Sequence, residues 1–358
     1  MATLLRHSTP WLDRYDIALA LLDREDSAYD VPATVTVHQF DAQGSLIRSV
    51  RALHRLFREW RPDVALTFLT RANVAAAIAR RGIRLPLVIS ERVNTSAHLP
   101  RNLAGKLSRW LVGRTYPRAD RVIAVSHGVA DDLIANYAVE VDRISVLSNP
   151  VDIDAIRSAG AAAGLVQFDQ PYVAAMGRLV ENKNFAMLID AFVEANVPGK
   201  LLIMGEGPLR DQLMQRIQEH LAGDRIVLAG FAGNPFPTIA AADFFVLPSN
   251  AEGFPNSLVE AMALGVPVIS TNCASGPSEI LANAPADTIQ GLTFAEYGTL
   301  VATNDRHGLA EAMRAYRDPA VRERYGAAAR ERAEHYSAKA TVRRYWQVLE
   351  SAMHEGAR

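Results

Sequence analysis

The sequence predicts an α/β protein made of two doubly wound parallel-sheet domains, and three observations carry that reading. Short apolar runs alternate with helical segments in both halves, the pattern of parallel strands joined by helical crossovers. At 358 residues the chain exceeds one ordinary core. Between the halves, Asn149, Pro150, Val151 and Asp152 break the alternation and the small-residue stretch SAGAAAG follows at 158–164. The expected domains are therefore 1–150 and 151–335, with a last helical segment at 336–358.

The elements follow in order. ATLLRH reads as the end of a helix, and RYDIALALL at 14–22 is the first convincing strand. Strands are expected at 35–40, 63–69, 86–92, 121–126 and 144–149, separated by helical segments such as SLIRSVRALHRLFREW and NVAAAIARRG. The second half repeats the scheme with strands at 171–177, 200–205, 225–230, 243–249, 267–271 and 298–303. The Ala/Arg/Glu-rich tail from about Asp318 to Glu355 reads as two helices.

Composition excludes several classes. Hydrophobic residues make up 49% and charged residues 22%, as in ordinary folded chains, so disorder is not indicated. Cys273 is the single cysteine, which rules out an intramolecular disulfide and a multi-cysteine metal site and suits a reducing compartment. No apolar run is long enough to span a bilayer and no signal peptide is recognised, so the expected location is cytoplasmic, peripheral to the inner face of the membrane at most. Residues 1–150 carry 20 Lys+Arg against 15 Asp+Glu, and the remainder 18 against 24, so the first half is the basic one.

Chemistry concentrates in Pro248–Thr271, PSNAEGFPNSLVEAMALGVPVIST. Pro248 and Ser249 close an apolar strand, Asn256 suits an N-cap, Ser257 to Leu264 have helical spacing, and Gly265 stands where a helix stops. The backbone N–H groups of Ser257, Leu258 and Val259 at such a helix start suit a phosphate. Glu252 in the loop and Glu260 in the helix flank that point and can accept hydrogen bonds from sugar hydroxyls. The plain alternative is a capped helix with two surface glutamates.

Glu252 and Glu260, followed by Ala261, Met262, Gly265 and Pro267, closely resemble the EGFPNSLLEAMA-G-PV signature of retaining glycosyltransferases of family 4. The resemblance is strong from about Asn149 onward and weaker before it. It implies a GT-B architecture: two Rossmann-like doubly wound domains facing a cleft, with the last helix returning towards the first. The strand at 14–22 then corresponds to the family's second strand. The first strand and its Gly-rich loop are not found in this sequence, which suggests a truncated chain.

Carried over residue by residue, the resemblance gives Glu252 and the backbone at Gly253, Phe254 and Pro255 the donor sugar, and Glu260 the ribose. Asn256, Ser257, Leu258 and Val259 line the diphosphate. Gly177, Arg178 and Lys183 in MGRLVENKN resemble the family's G-R-L-x-x-x-K-N element, so Arg178 and Lys183 are expected to bind phosphate and stabilise the departing nucleotide; a solvated basic turn is the alternative. Gly205 and Gly207 in GEGP resemble a turn lining the nucleotide site, and GPSE at 276–279 resembles a G-P-x-E turn that a helix cap would also explain. The third glycine of a dinucleotide fingerprint is absent, against a dehydrogenase.

In the first domain Glu91, Arg92 and Asn94 of SERVN are the acceptor-side candidates, similar to a subgroup that transfers N-acetylhexosamines to lipid-linked acceptors; they could equally position the loop. His127 reads as a helix-start residue, and His98 has no context that promotes it. Neither D-x-D nor another convincing metal-ligand spacing is found, so the expected reaction needs no metal or cofactor beyond its nucleotide-diphosphate sugar, a UDP-sugar by similarity. Within 99–121, Leu103, Leu107, Trp110 and Leu111 share a helical face with Lys106, Arg109 and Arg114 around it. That segment reads either as a core-packing helix with a basic rim or as a contact with anionic membrane. Nucleic acid is not expected, since no binding motif accompanies the charge. A sugar-nucleotide epimerase on the same fold and a catalytically impaired sugar-nucleotide-binding protein are the rival readings.

Overall fold

In the computed structural model, residues 1–24, 31–99, 102–162 and 170–356 are described. Pro100 and Arg101 of the basic segment and the end of the 158–164 stretch lie outside them. The chain divides into two compact units, one of Met1–Pro150 with Ala338–Arg358 and one of Val151–Ser337. Each is Rossmann-like, with mainly parallel strands flanked by helices.

The first unit opens with helices α1 (Ala2–Arg6) and α2 (Thr9–Leu12), then β1 (Ala18–Leu21), β2 (Thr36–Gln39), α3 (Leu46–Trp60), β3 (Ala65–Phe68) and α4 (Thr70–Ala79). It continues with β4 (Leu87–Glu91), α5 (Thr95–His98), α6 (Leu103–Thr115), β5 (Arg121–Ala124), α7 (His127–Tyr137) and β6 (Ile144–Val146). The helix α3 shows why these segments fold as they do. Ser45 Oγ accepts from Arg48 N–H at 3.4 Å, Ser49, Leu53 and Phe57 repeat at one-turn spacing on the buried face, and Arg61 ends the helix at φ 49°. All five residues of β4 are buried, as a parallel strand covered on both faces requires.

The strands of this unit form two parallel sheets, β1-β2 and β3-β4-β5-β6. Among the described residues no strand joins β1 to β3, and both border a cavity of about 540 Å³ whose walls include Leu53 and Phe57 of α3.

The second unit runs α8 (Ile153–Gly160), β7 (Tyr172–Met176), α9 (Phe185–Ala195), β8 (Lys200–Met204), α10 (Arg210–Glu219), β9 (Ile226–Gly230), α11 (Phe236–Ala240) and β10 (Phe244–Leu247). It closes with α12 (Asn256–Ala263), β11 (Val268–Asn272), α13 (Pro277–Leu281), β12 (Thr293–Phe294), β13 (Thr299–Ala302), α14 (Arg306–Ala315) and α15 (Pro319–Ala333). The sheet order is β12-β13-β11-β10-β7-β8-β9, parallel except for the β12–β13 pair. Strands after β7 build outward through β8 and β9, and then β10 returns to β7's other edge. The order reverses between β7 and β10, and the carboxyl ends of those two strands are where an open α/β sheet leaves room for a ligand.

The last helix, α16 (Ala338–Gly356), belongs to the first unit. Val342, Tyr345, Trp346 and Leu349 share a core with Leu4, Val88, Ile123 and Leu147. Trp346 stacks on Trp11 at 5.4 Å and Tyr15 at 5.1 Å, and its indole N–H donates to Ser8 Oγ at 2.9 Å. A strand is present in each of the twelve expected ranges, several of them shorter than expected, as β1 is within 14–22 and β6 within 144–149, whereas the two-residue β12 was not expected.

Candidate functional site

The loops after β7 and β10 meet at the point where strand order reverses. Asn250 N–H donates to Asn182 O at 2.8 Å, and Asn184 Nδ2 donates to Asn250 Oδ1 at 3.1 Å, so the two loops are joined by backbone and side chain. That junction brings Lys183 and Glu252 together as an ion pair, although they stand 69 positions apart. Both are largely withdrawn from solvent, at 20% and 11% side-chain exposure. Glu252 also accepts from Ser249 Oγ at 2.7 Å, and its own carbonyl accepts from Ser275 Oγ at 2.6 Å. The carboxylate is thus fixed by a cation and a hydroxyl on a loop anchored at both ends.

Glycines let the neighbouring backbones approach. Gly177 N–H donates to Met204 O at 3.0 Å and Leu179 N–H to Glu206 O at 2.9 Å, drawing the β7 and β8 loops side by side. Gly205 sits at φ 141°, and a Cβ there would fall 1.9 Å from Gly177 O. Arg178 lies exposed in the same loop and has no ion-pair partner among the described residues. It is a cation available to a ligand, whereas Lys183 already has a counter-charge.

The helix α12 differs in detail from the sequence expectation. Pro255 takes the N-cap position, extended at φ −77° and ψ 96°, and Asn256 is the first helical residue. A proline ring pre-sets the entry and removes a donor, which is why a good capping side chain one position later is not used as the cap. The N–H groups of Leu258 and Val259 both bond to Pro255 O, at 3.1 and 3.4 Å, so they are not open to a phosphate as expected. Of the three predicted donors, Ser257 is the one without such a bond. Gly265 follows the helix at φ 78° and donates to Met262 O at 2.9 Å, the expected stop. Phe254 is buried against Tyr336, ring to edge at 5.2 Å, and so supports the Gly253–Pro255 turn from behind.

Glu260 is the unusual member. No hydrogen-bond or ion-pair partner is seen for its carboxyl among the described residues, and burial alone pushes its pKa up to about 7. A carboxyl held in that state is half ionised near neutrality and would gain from any ligand that offers hydroxyl donors. Cys273, close by in sequence, is buried, and its thiol is pushed up to about 12, first by desolvation and then by the Glu252 charge, so it is inert.

The first-unit candidates are differently placed. Glu91 is fully buried. Its carboxylate accepts from the Tyr116 hydroxyl and from Arg92 N–H at 2.9 Å, and burial holds its pKa above the usual range. Asn94 is also buried and caps α5, accepting from Ala97 N–H at 3.0 Å. Arg92 Nη1 donates to Tyr345 of α16 at 2.8 Å and its guanidinium lies 5.0 Å over the Phe68 ring. Sequence reasoning missed the buried set behind them. Asn73 donates to Ser90 O at 3.2 Å and Tyr116 Oη at 3.0 Å, and accepts from Thr67 Oγ1 at 2.7 Å. An asparagine inside an alanine-rich helical run was the available signal. Among the described residues no group of three or more His, Cys, Asp or Glu is placed to hold a metal, and no helix is long and apolar enough to cross a membrane.

These features define a class: an α/β chain of two Rossmann-like units with a cation–carboxylate pair and a half-buried second glutamate at the switch point of the second. Comparison with known proteins agrees. Residues 14–155 match the family model "Glycosyltransferase Family 4", and residues 162–332 match "Glycosyl transferases group 1". The chain is 29% identical over 283 residues to the N-acetylgalactosamine-N,N'-diacetylbacillosaminyl-diphospho-undecaprenol 4-alpha-N-acetylgalactosaminyltransferase of Campylobacter jejuni, covering 78% of this chain and 74% of that one. In fold it resembles Anabaena Alr3699/HepE in complex with UDP, with a TM-score of 0.75 at 20% identity over 98% of this chain and 96% of that one. It also resembles Staphylococcus aureus TarM, with a TM-score of 0.66 and 20% identity over 85% of this chain, and it spans 58% of that longer chain. The protein is a GT-B fold glycosyltransferase related to family 4.

Proposed function

We propose that the protein moves a hexosyl or N-acetylhexosaminyl group from a nucleotide-diphosphate sugar, a UDP-sugar, to an acceptor hydroxyl with retention and without a metal. The acceptor is a glycan or lipid-linked glycan of the cell envelope, presented at the inner face of the membrane. The observation that carries the reading is the Lys183–Glu252 pair at the β7/β10 switch point, with α12 and Glu260 beside it. The relative in Campylobacter jejuni is named for transfer of N-acetylgalactosamine to a diphospho-undecaprenol glycan, and structures similar in fold hold UDP and UDP-glucose, which is why the donor and acceptor are sought in those classes.

In this reading Glu260 accepts the ribose hydroxyls and Glu252 those of the donor sugar, with the Gly253–Pro255 backbone shaping that subsite. Arg178 and Lys183 face the diphosphate, together with the start of α12, where Ser257 N–H is the donor that Pro255 O does not take up. When the bond from the sugar's anomeric carbon to the phosphate oxygen breaks, negative charge collects on the diphosphate. Two cations in a partly desolvated site stabilise it, in the role that a metal ion fills elsewhere. Lys183 is pre-positioned by Glu252, so its charge reaches the site without the disorder of a free lysine side chain. Gly177, Gly205 and Gly207 let the nucleotide lie against bare backbone. On the acceptor side, Arg92 is the candidate for direct contact, and Glu91 and Asn94 hold the loop that carries it. The domain reading is that residues 1–150 with the last helix bind the acceptor and 151–335 bind the donor.

The test measures UDP release from UDP-N-acetylgalactosamine and UDP-glucose, with and without an undecaprenyl-diphosphate glycan. Transfer predicts release that depends on the acceptor and yields an extended glycan of unchanged anomeric configuration. Acceptor-independent conversion of the sugar would instead establish an epimerase. Binding without turnover would leave a sugar-nucleotide-binding protein.

A further inference from the structure

The cavity between β1 and β3 has the form of a gap in a sheet. Two of its walls are consecutive backbone, residues 16–20 along β1 and 64–68 along β3. Leu53 and Phe57 of α3 and Trp346 and Leu349 of α16 also line it. All four residues of β1 and all four of β3 are half-buried, whereas every residue of β4 is buried. A strand with one face in solvent would alternate; uniform half-burial of largely apolar residues is what an edge without its neighbour produces.

The ladder shows which groups that neighbour would meet. Successive residues of a strand turn their N–H and C=O to opposite edges, and in a parallel pair one residue turns both groups to the same edge. Ile17 O and Leu21 O accept from Thr36 N–H at 3.0 Å and Phe40 N–H at 2.8 Å on the side of β2, so Ala18 and Ala20 turn theirs into the gap. Ala65 N–H donates to Pro86 O at 2.9 Å on the side of β4, so Leu66 and Phe68 face the gap from the opposite wall. Among the described residues no hydrogen bond is seen to the N–H or C=O of any of these four. Two rows of alternating donors and acceptors, each lacking a partner, match the two edges of one extended chain.

Size limits the occupant further. A strand of four residues, at about 3.3 Å per residue, 4.8 Å from its neighbour and 10 Å between covering layers, fills roughly 630 Å³. The cavity holds about 540 Å³, room for one strand and not for two. The helices that wall it present Leu, Phe and Trp, so the strand it takes is apolar on both faces.

We infer that the first unit takes up one extended, apolar strand of a partner polypeptide between β1 and β3, paired to both edges. The gap lies within the first unit and plays no part in the sugar-nucleotide chemistry of the second, so this docking stands whether or not the transfer reading does. Phe68 and Tyr345, which hold the Arg92 guanidinium, are also in the wall, and the docked strand lies against them.

The test adds the synthetic peptide Lys-Lys-Val-Ala-Val-Val-Ala-Val-Lys-Lys to the full chain and follows amide hydrogen exchange by mass spectrometry. Pairing to both edges predicts that exchange slows at least about tenfold in both 17–22 and 64–69 at saturating peptide. The same peptide N-methylated at alternate residues keeps its side chains but loses its donors to one edge, and should bind at least about tenfold more weakly. Ala20→Pro removes an N–H that faces the gap and leaves the ladder to β2 intact, so it should melt with the wild type and lose at least about tenfold in peptide affinity. The N-methylated peptide examines the same point on an unaltered protein. Protection confined to one strand, equal binding of the N-methylated peptide, or a folded chain that binds neither peptide would each overturn the proposal.

Discussion

Replacing Glu260 by glutamine should stabilise the protein while weakening it as a donor binder, and pH separates the two effects. Burial lifts this carboxyl to about 7 from its ordinary 4.5, so the native state holds its proton through a pH range in which the unfolded chain has released it. The sign follows: between about pH 4.5 and 7 the unfolded state binds fewer protons, and stability falls as pH rises. At roughly 1.4 kcal/mol per pKa unit, the full penalty is about 3 kcal/mol above pH 8 and under about 1 kcal/mol at pH 5. Glutamine cannot ionise, so the stability difference between Glu260→Gln and wild type should grow by about 2.5 kcal/mol from pH 5 to pH 8. In a unit of this size that corresponds to roughly 5–10 °C in melting temperature. Urea unfolding at the two pH values measures it directly. Equal differences at pH 5 and pH 8 would refute the claim that Glu260 is desolvated and unpaired. Binding should move the other way. If the ionised carboxylate receives the ribose hydroxyls, wild-type affinity for UDP-glucose should rise about tenfold from pH 6 to pH 8, following the ionised fraction. A nucleotide sugar is the right probe because its phosphates have no ionisation in that range.

Three further substitutions divide the site by role. Arg178→Ala removes an exposed cation with no ion-pair partner among the described residues, so stability should stay within about 0.5 kcal/mol while turnover falls roughly 10- to 100-fold; loss of stability would show a structural role instead. Lys183→Ala strips Glu252 of its cation in a largely buried pair and should cost both roughly 2–4 kcal/mol of stability and at least about a hundredfold in turnover, separable by denaturation and kinetics. Gly205→Ala forces a side chain onto Gly177 O at a positive φ and should destabilise by about 3 kcal/mol; a change below about 0.5 kcal/mol would show that the loop can move aside.

The strands and the α12 motif were legible because each is a local pattern. Apolar runs such as PLVISER and DFFVLPS are short, buried on both faces and bounded by turn residues, which leaves little choice of structure. The strand–loop–helix around Glu252 was legible down to Gly265, but the cap was not, because whether Pro255 or Asn256 takes that position depends on how the loop enters. The two-residue β12 exists only through its pairing with β13 and has no pattern of its own. The Lys183–Glu252 pair could not be read as a pair: strand order sets that proximity, and the sequence gives strand order only through analogy. Glu91 and the α6 stripe were ambiguous for one reason. A carboxylate at a strand end and an amphipathic helix look the same in sequence whichever way they face, and here Glu91 turns inward to Tyr116 while Leu103, Leu107 and Trp110 turn outward.

The central claim, that the β7/β10 switch point of the second unit holds the nucleotide diphosphate of a sugar donor, is tested most directly by calorimetric titration with UDP, GDP and ADP. The account predicts that one of them, UDP, binds the wild-type chain, and that Lys183→Ala and Glu260→Ala each weaken that binding, the latter by roughly 1–3 kcal/mol for lost ribose hydrogen bonds. A folded protein that binds none of the three, or that binds UDP equally well after both substitutions, would contradict it.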